Sequence, residues 1–179
     1  MIARLGLWLL CLLVVGGCTA VDIDDYRDEA PLLDLKAYFN GTIDGYGIFQ
    51  DRSGKVVKRF HVVIDASWAG DTGTLDEHFS YSDGSTQRRV WTIIRQAGGR
   101  YTGRADDVVG EAKGLASGNA LRWRYVLSLP VDGKTYRVDF DDWMYLMDER
   151  VMLNRSTMSK FGFRLGELTL SFTRRGSDT

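Results

Sequence analysis

Residues 120–154, ALRWRYVLSLPVDGKTYRVDFDDWMYLMDERVMLN, decide the fold. They read as two long strands joined at Pro130-Val131-Asp132-Gly133, with a third strand starting after a tight turn at Asp148-Glu149. Side chains alternate along a strand, so Leu121, Trp123, Tyr125, Leu127 and Leu129 share one face of the first. Val138, Phe140, Asp142, Met144 and Leu146 share one face of the second. Together they form a broad aromatic and aliphatic surface with one carboxyl group embedded in it. Trp143 and Tyr145 fall on the opposite face, so the second strand is apolar on both sides. One side then faces a core, and the other needs a cover: a loop, a partner or lipid.

The same period continues upstream. Val56, Phe60, Val62, Ile64, Ala66 and Trp68 lie on one face, opposite Val57, Arg59, His61, Asp65 and Ser67, the mark of a half-buried antiparallel strand. Gly70-Asp71-Thr72-Gly73 turns the chain into a strand whose Leu75, Glu77, Phe79 and Tyr81 share a face, and Asp83-Gly84 is a strong hairpin signal. Gly98-Gly99 turns it again. Gly45 and Gly47, within an otherwise aromatic run, predict bulges or a sharp bend. Downstream, RVMLNRSTMSK reads as a strand, and LGELTLSFTRR closes the chain with Leu168, Leu170 and Phe172 on one face. A helical turn fits around Leu32 to Tyr38. There is no long amphipathic helical pattern and no internal repeat. The prediction over residues 35–179 is one all-β domain, an antiparallel up-and-down β-barrel of about eight to ten strands, because closure removes exposed edges.

The chain opens MIARLGLWLLCLLVVGGCTA, with Arg4, a short apolar run and small residues before Cys18. This is a secretory signal over residues 1–17, and Val15-Gly16-Gly17-Cys18 resembles the bacterial lipobox. Cys18 would carry acyl chains and fix the protein to a membrane without spanning it. Thr19, where aspartate would favour inner-membrane retention, points to the periplasmic face of the outer membrane. Residues 18–34 are acid-rich and read as a solvated tether. Cys11 leaves with the signal, so no thiol remains for a disulfide, a metal or a nucleophile. A formal net charge of −1 without a basic block argues against nucleic acid as a partner.

The blocks DRSGKVVKRF, YSDGSTQRRVW, GRADDVVGEAKG, GNALRWRY, DDWMYLMDE and NRSTMSKFG run in one order through the mature chain. In these it resembles the bacterial lipoprotein family catalogued as domain of unknown function 3833. The resemblance implies a lipocalin-like barrel and a lipid-related role, with no established activity.

Three polar residues sit on apolar faces: Glu77, Asp142 and Asn154. Buried carboxyl groups need partners, and Arg88, Arg89, Arg122 and Arg124 are the candidates. One reading is a structural ion-pair network. The other is a polar spot of Glu77, Arg124, Asp142 and Asn154 in a cavity walled by Trp123, Tyr125, Phe140 and Trp143, binding a fatty acid or phospholipid-derived species. Tethering would hold the cavity mouth near the bilayer. An enzyme of isomerase or cyclase type, with Glu77 or Asp142 as acid or base, is the alternative, as is a structural or assembly factor of the envelope. No cofactor is implied, and no residue is assigned a catalytic role. His61 and His78 lack neighbours at metal-ligand spacing, and alternation separates Asp142 from Asp139 and Asp141, so no metal site is expected. GRADDVVGEAKG lacks the strand-to-helix setting of a phosphate loop, and no nucleophile for hydrolysis is visible.

Overall fold

The computed structural model describes residues 20–131 and 133–176. Ten strands follow in order: β1 (Gly41–Asp51), β2 (Val56–Ala69), β3 (Thr72–Tyr81), β4 (Thr86–Arg95), β5 (Arg100–Arg104), β6 (Ala112–Ser117), β7 (Ala120–Val131), β8 (Lys134–Leu146), β9 (Val151–Lys160) and β10 (Phe163–Arg174). Each pairs antiparallel with its sequence neighbour, and β1 pairs with β10 to close the barrel. Every strand therefore has both neighbours within residues 41–174, and among the described residues no sheet edge is left to pair with another chain. Cys18 and the acylation expected there lie outside the described residues. Among the described residues no helix is long and apolar enough to cross a membrane.

Alternation places the core. On β2, Val62 and Ile64 are buried while Asp65 is exposed, and on β7 Leu121, Trp123 and Leu127 are buried. Two glycines make room for bulky rings inside. A Cβ on Gly47 would lie 2.3 Å from the Phe60 ring, and one on Gly114 would lie 2.3 Å from the Trp123 ring. A Cβ on Gly45 would likewise lie 2.6 Å from the Val62 side chain, so Gly45 and Gly47 serve close packing. The predicted bulge at these glycines is absent: β1 runs unbroken through them and shifts register only at Phe49/Gln50. Gly114→Ala is expected to destabilise the fold by about 1–3 kcal/mol, since Trp123 must leave its rotamer, with urea unfolding as the check.

The barrel has one closed end. A short helix, α1 (Leu35–Tyr38), capped by Asp34, inserts Leu35, Tyr38 and Phe39 there. The Tyr38 hydroxyl donates to the Arg150 carbonyl at 3.0 Å and Trp68 Nε1 donates to the Phe39 carbonyl at 2.7 Å, tying the plug to two hairpins. Residues 18–34 were expected to be a solvated tether; from Asp22 onward the segment is docked instead. A 3-10 helix (Ile23–Tyr26), closed by a capping box between Asp22 and Asp25, lies against the outside of β6 and β7. Ile23 and Leu33 are buried, and Leu33 N donates to the Gly118 carbonyl at 2.8 Å. A few apolar residues among many acids suffice to dock such a segment, which averaged charge does not reveal.

The opposite end is an open mouth framed by the β1–β2, β3–β4, β7–β8 and β9–β10 hairpins. β5 and β6 are too short to reach it. The loop of residues 105–111 covers the gap, with Val109 N donating to the Val126 carbonyl and Ser128 N to the Asp107 carbonyl, both at 2.8 Å.

Candidate functional site

A cavity of about 190 Å³ runs from the floor at Leu35 and Phe39 towards the mouth at Phe49, Tyr81, Leu129, Met158 and Leu168. Its walls are almost wholly apolar. Trp91 packs edge-on against Trp123 (5.8 Å between ring centres) and Tyr125 (5.4 Å), and Tyr125 stacks on Phe140 (5.1 Å). Such pairs fix ring positions and leave a slot with rigid sides. Its volume is below the roughly 300–1,000 Å³ of pockets that enclose drug-sized ligands, so it suits a slender molecule.

Three charged side chains line this slot: Glu77, Arg89 and Asp142. Glu77 on β3 faces Arg89 on β4 in register, with Arg89 Nη1 3.6 Å from Glu77 Oε2. Arg89 is turned mainly towards Asp107 of the covering loop, donating from Nε at 3.0 Å and from Nη2 at 2.7 Å. Its guanidinium also lies 5.6 Å from the centre of the Phe79 ring. Glu77 Oε2 is buried and accepts no hydrogen bond. Burial raises the Glu77 carboxyl from 4.5 to about 7; Arg89 opposes this rise, and Asp107 adds to it.

Asp142 on β8 is the second polar element. Tyr125 donates its hydroxyl to Asp142 Oδ2 at 3.1 Å, while Asp142 Oδ1 and the Ser156 hydroxyl opposite it are buried without partners. Burial raises Asp142 from 3.8 to about 7, and the nearby hydroxyls of Ser156 and Tyr125 partly offset this. Tyr125 is pushed well above 10 by burial and stays a neutral donor. Near neutral pH Glu77 and Asp142 therefore offer protonated carboxyls as donors beside ionised ones as acceptors, with the Arg89 cation held between Glu77 and Asp107.

Of the residues expected in this site, Glu77, Trp123, Tyr125, Phe140, Asp142 and Asn154 line the cavity. Asn154 is 3% exposed and donates to the Trp143 carbonyl at 3.4 Å. Arg124 and Trp143 do not belong to it. Both alternate to the outer surface, because their neighbours Trp123 and Asp142 point inward. Trp143 stacks with Tyr145, and Tyr26 tilts against both rings, so the expected cover of this second apolar face is the chain's own N-terminal segment. Among the expected arginine partners, Arg88 pairs with Asp76 and Arg122 with Asp141 on the outside, and only Arg89 turns inward. Asp107 and Ser156 were not anticipated. Among the described residues no group of three or more His, Cys, Asp or Glu could hold a metal ion.

A closed ten-strand antiparallel meander with a plugged floor and an apolar slot is a lipocalin-like barrel. The chain belongs to the family described as "Protein of unknown function (DUF3833)", whose model matches residues 12–174. Similar solved structures include the S-type phycobiliprotein lyase CPES from Guillardia theta, at 6% identity and a TM-score of 0.59, covering 78% of this chain and 89% of that one. A DUF3598 protein of unknown function from Nostoc punctiforme PCC 73102 is similar at 13% identity and a TM-score of 0.56, covering 82% of this chain and 51% of that one. At such identities the likeness concerns the fold. No curated protein matches the chain.

Proposed function

We propose that this protein is a lipid-anchored barrel that binds one apolar chain, a fatty acid or a phospholipid-derived species, in its slot. The observation that carries this reading is an open-ended apolar cavity whose charged lining groups, among the described residues, are Glu77, Arg89 and Asp142. A carboxylate head accepts hydrogen bonds from a protonated Glu77 or Asp142 and is attracted by Arg89, while its chain lies along Trp91, Trp123 and Phe140. The lipobox at residues 15–18 supports acylation at Cys18 and attachment to the periplasmic face of the outer membrane. Calorimetric titration with saturated fatty acids from octanoate to hexadecanoate tests binding. One site per chain is expected, tightening roughly fourfold per added methylene at ~0.8 kcal/mol each until the slot is full. No heat at any chain length would defeat the proposal. Metabolic labelling with palmitate tests the anchor, and label that persists in Cys18→Ser would refute it.

A second reading has its own support. Two buried carboxyl groups poised at about 7 beside a phenol in one cavity are the equipment of acid–base catalysis on a bound lipid. Product formation from envelope lipids, lost in Asp142→Asn while fatty-acid binding persists, would select this reading over a carrier.

A further inference from the structure

The mouth is both greasy and basic. Among the described residues, seven of the fourteen exposed large hydrophobics sit on three of its four hairpins, including Val56, Val57, Val131, Tyr136, Phe161 and Phe163. Phe161 and Phe163 are 86% and 76% exposed. By sequence, residues 51–58, 82–85, 131–137 and 160–165 carry seven Lys or Arg and three Asp, a net of +4 in a chain whose net is −1. Two of those acids are already engaged, Asp51 accepting from Ser53 and the Lys55 N–H and Asp83 pairing with Lys58 at 2.9 Å, while Arg164 pairs with Glu167 at 3.0 Å. The covering loop at this end adds Asp106, Asp107 and Glu111, of which Asp107 is paired with Arg89 and Glu111 with Arg104. The turn at residues 161–162 makes the case from a different direction. Phe161 has φ +52, the only positive φ at a non-glycine among the described residues. A two-residue hairpin turn in this conformation favours asparagine, aspartate or glycine on backbone grounds, so phenylalanine here is not explained by the turn itself.

We propose that the mouth rim docks on an anionic lipid bilayer, with Phe161 and Phe163 inserted at the interface and the surrounding lysines and arginines against the headgroups. Aromatic and aliphatic tips ringed by cations match such a surface in both chemistry and charge. The N-terminal segment packs at the closed end, through Leu33 on Gly118 and Tyr26 on Trp143 and Tyr145. An anchor at Cys18 therefore does not by itself turn the mouth to the membrane, and the rim supplies that orientation. The docking does not depend on which molecule occupies the slot.

The test uses the chain from Ala20 onward, which holds all ten strands, the plug and the closing β1–β10 pair without any acyl anchor. It is floated with vesicles of phosphatidylcholine alone or mixed with phosphatidylglycerol. Binding should require phosphatidylglycerol, weaken with salt, and fall about tenfold in Phe161→Asn/Phe163→Ser and in Lys55→Glu/Arg137→Glu. Asparagine suits the turn, and an unchanged thermal midpoint confirms that each variant is folded. No flotation with either vesicle, equal flotation with both, or unchanged flotation of both folded variants would overturn the proposal.

Discussion

Arg89→Met is expected to destabilise the barrel by about 3–5 kcal/mol at about pH 8, because it leaves Glu77 and Asp107 without their shared cation. The loss should shrink in acid. Glu77 is raised from 4.5 to about 7, so between those values the folded state holds a proton that the unfolded state releases. Its contribution is thus fully present below 4.5 and lost as pH rises through about 7. Without Arg89, which pulls the Glu77 value down, the loss continues to higher pH. At about pH 5 Glu77 is neutral in the folded variant, and only the partly solvated Asp107 lacks a partner, so less than half of the penalty should remain. Adding Glu77→Gln to Arg89→Met should restore most of the lost stability at about pH 8. Urea unfolding of the single and double variants at both pH values checks this; a penalty independent of pH would show that Glu77 is not the group left uncompensated.

Dodecanoate affinity is expected to fall about tenfold per pH unit above about pH 7, reaching roughly a hundredfold by about pH 9. Glu77 and Asp142 both titrate at about 7, and an incoming carboxylate favours their protonated forms. Each unit of pH above that value makes proton uptake tenfold less favourable, while the ligand itself stays ionised throughout. A site built on a solitary arginine would show no such fall, because its charge does not change over this range. Glu77→Gln/Asp142→Asn should bind with an affinity nearly flat in pH. Calorimetry in buffers of different ionisation heat also reads the proton uptake directly.

Much of this was legible in the sequence, for identifiable reasons. Period-two alternation on β2, β3, β7 and β8 is long enough to fix the strands and to group Glu77, Trp123, Tyr125, Phe140 and Asp142 on apolar faces, but that these faces turn inward onto an open slot is seen only in the structure. The same rule, applied strictly, sends Arg124 and Trp143 outward. They were assigned to the site on chemical suitability, against their own alternation. Arg89 depended on a turn detail. A two-residue Asp83-Gly84 turn would set Glu77 opposite Val90, whereas the turn formed here, with Tyr81 N donating to the Ser85 carbonyl, sets it opposite Arg89. Asp107 sits in an irregular loop whose position follows from the shortness of β5 and β6, and no periodicity announces it. The docking of residues 22–34 rests on a few apolar contacts within an acidic stretch, a signal that composition dilutes.

Native mass spectrometry of the chain from Ala20 onward, exported behind a cleavable secretory signal, purified gently and followed by organic extraction, tests the cavity's role most directly. One apolar molecule per chain is expected, absent from a Leu168→Trp variant in which the added ring fills the mouth-side wall of the slot. Bare protein mass in both forms, or the same adduct in both, would contradict it.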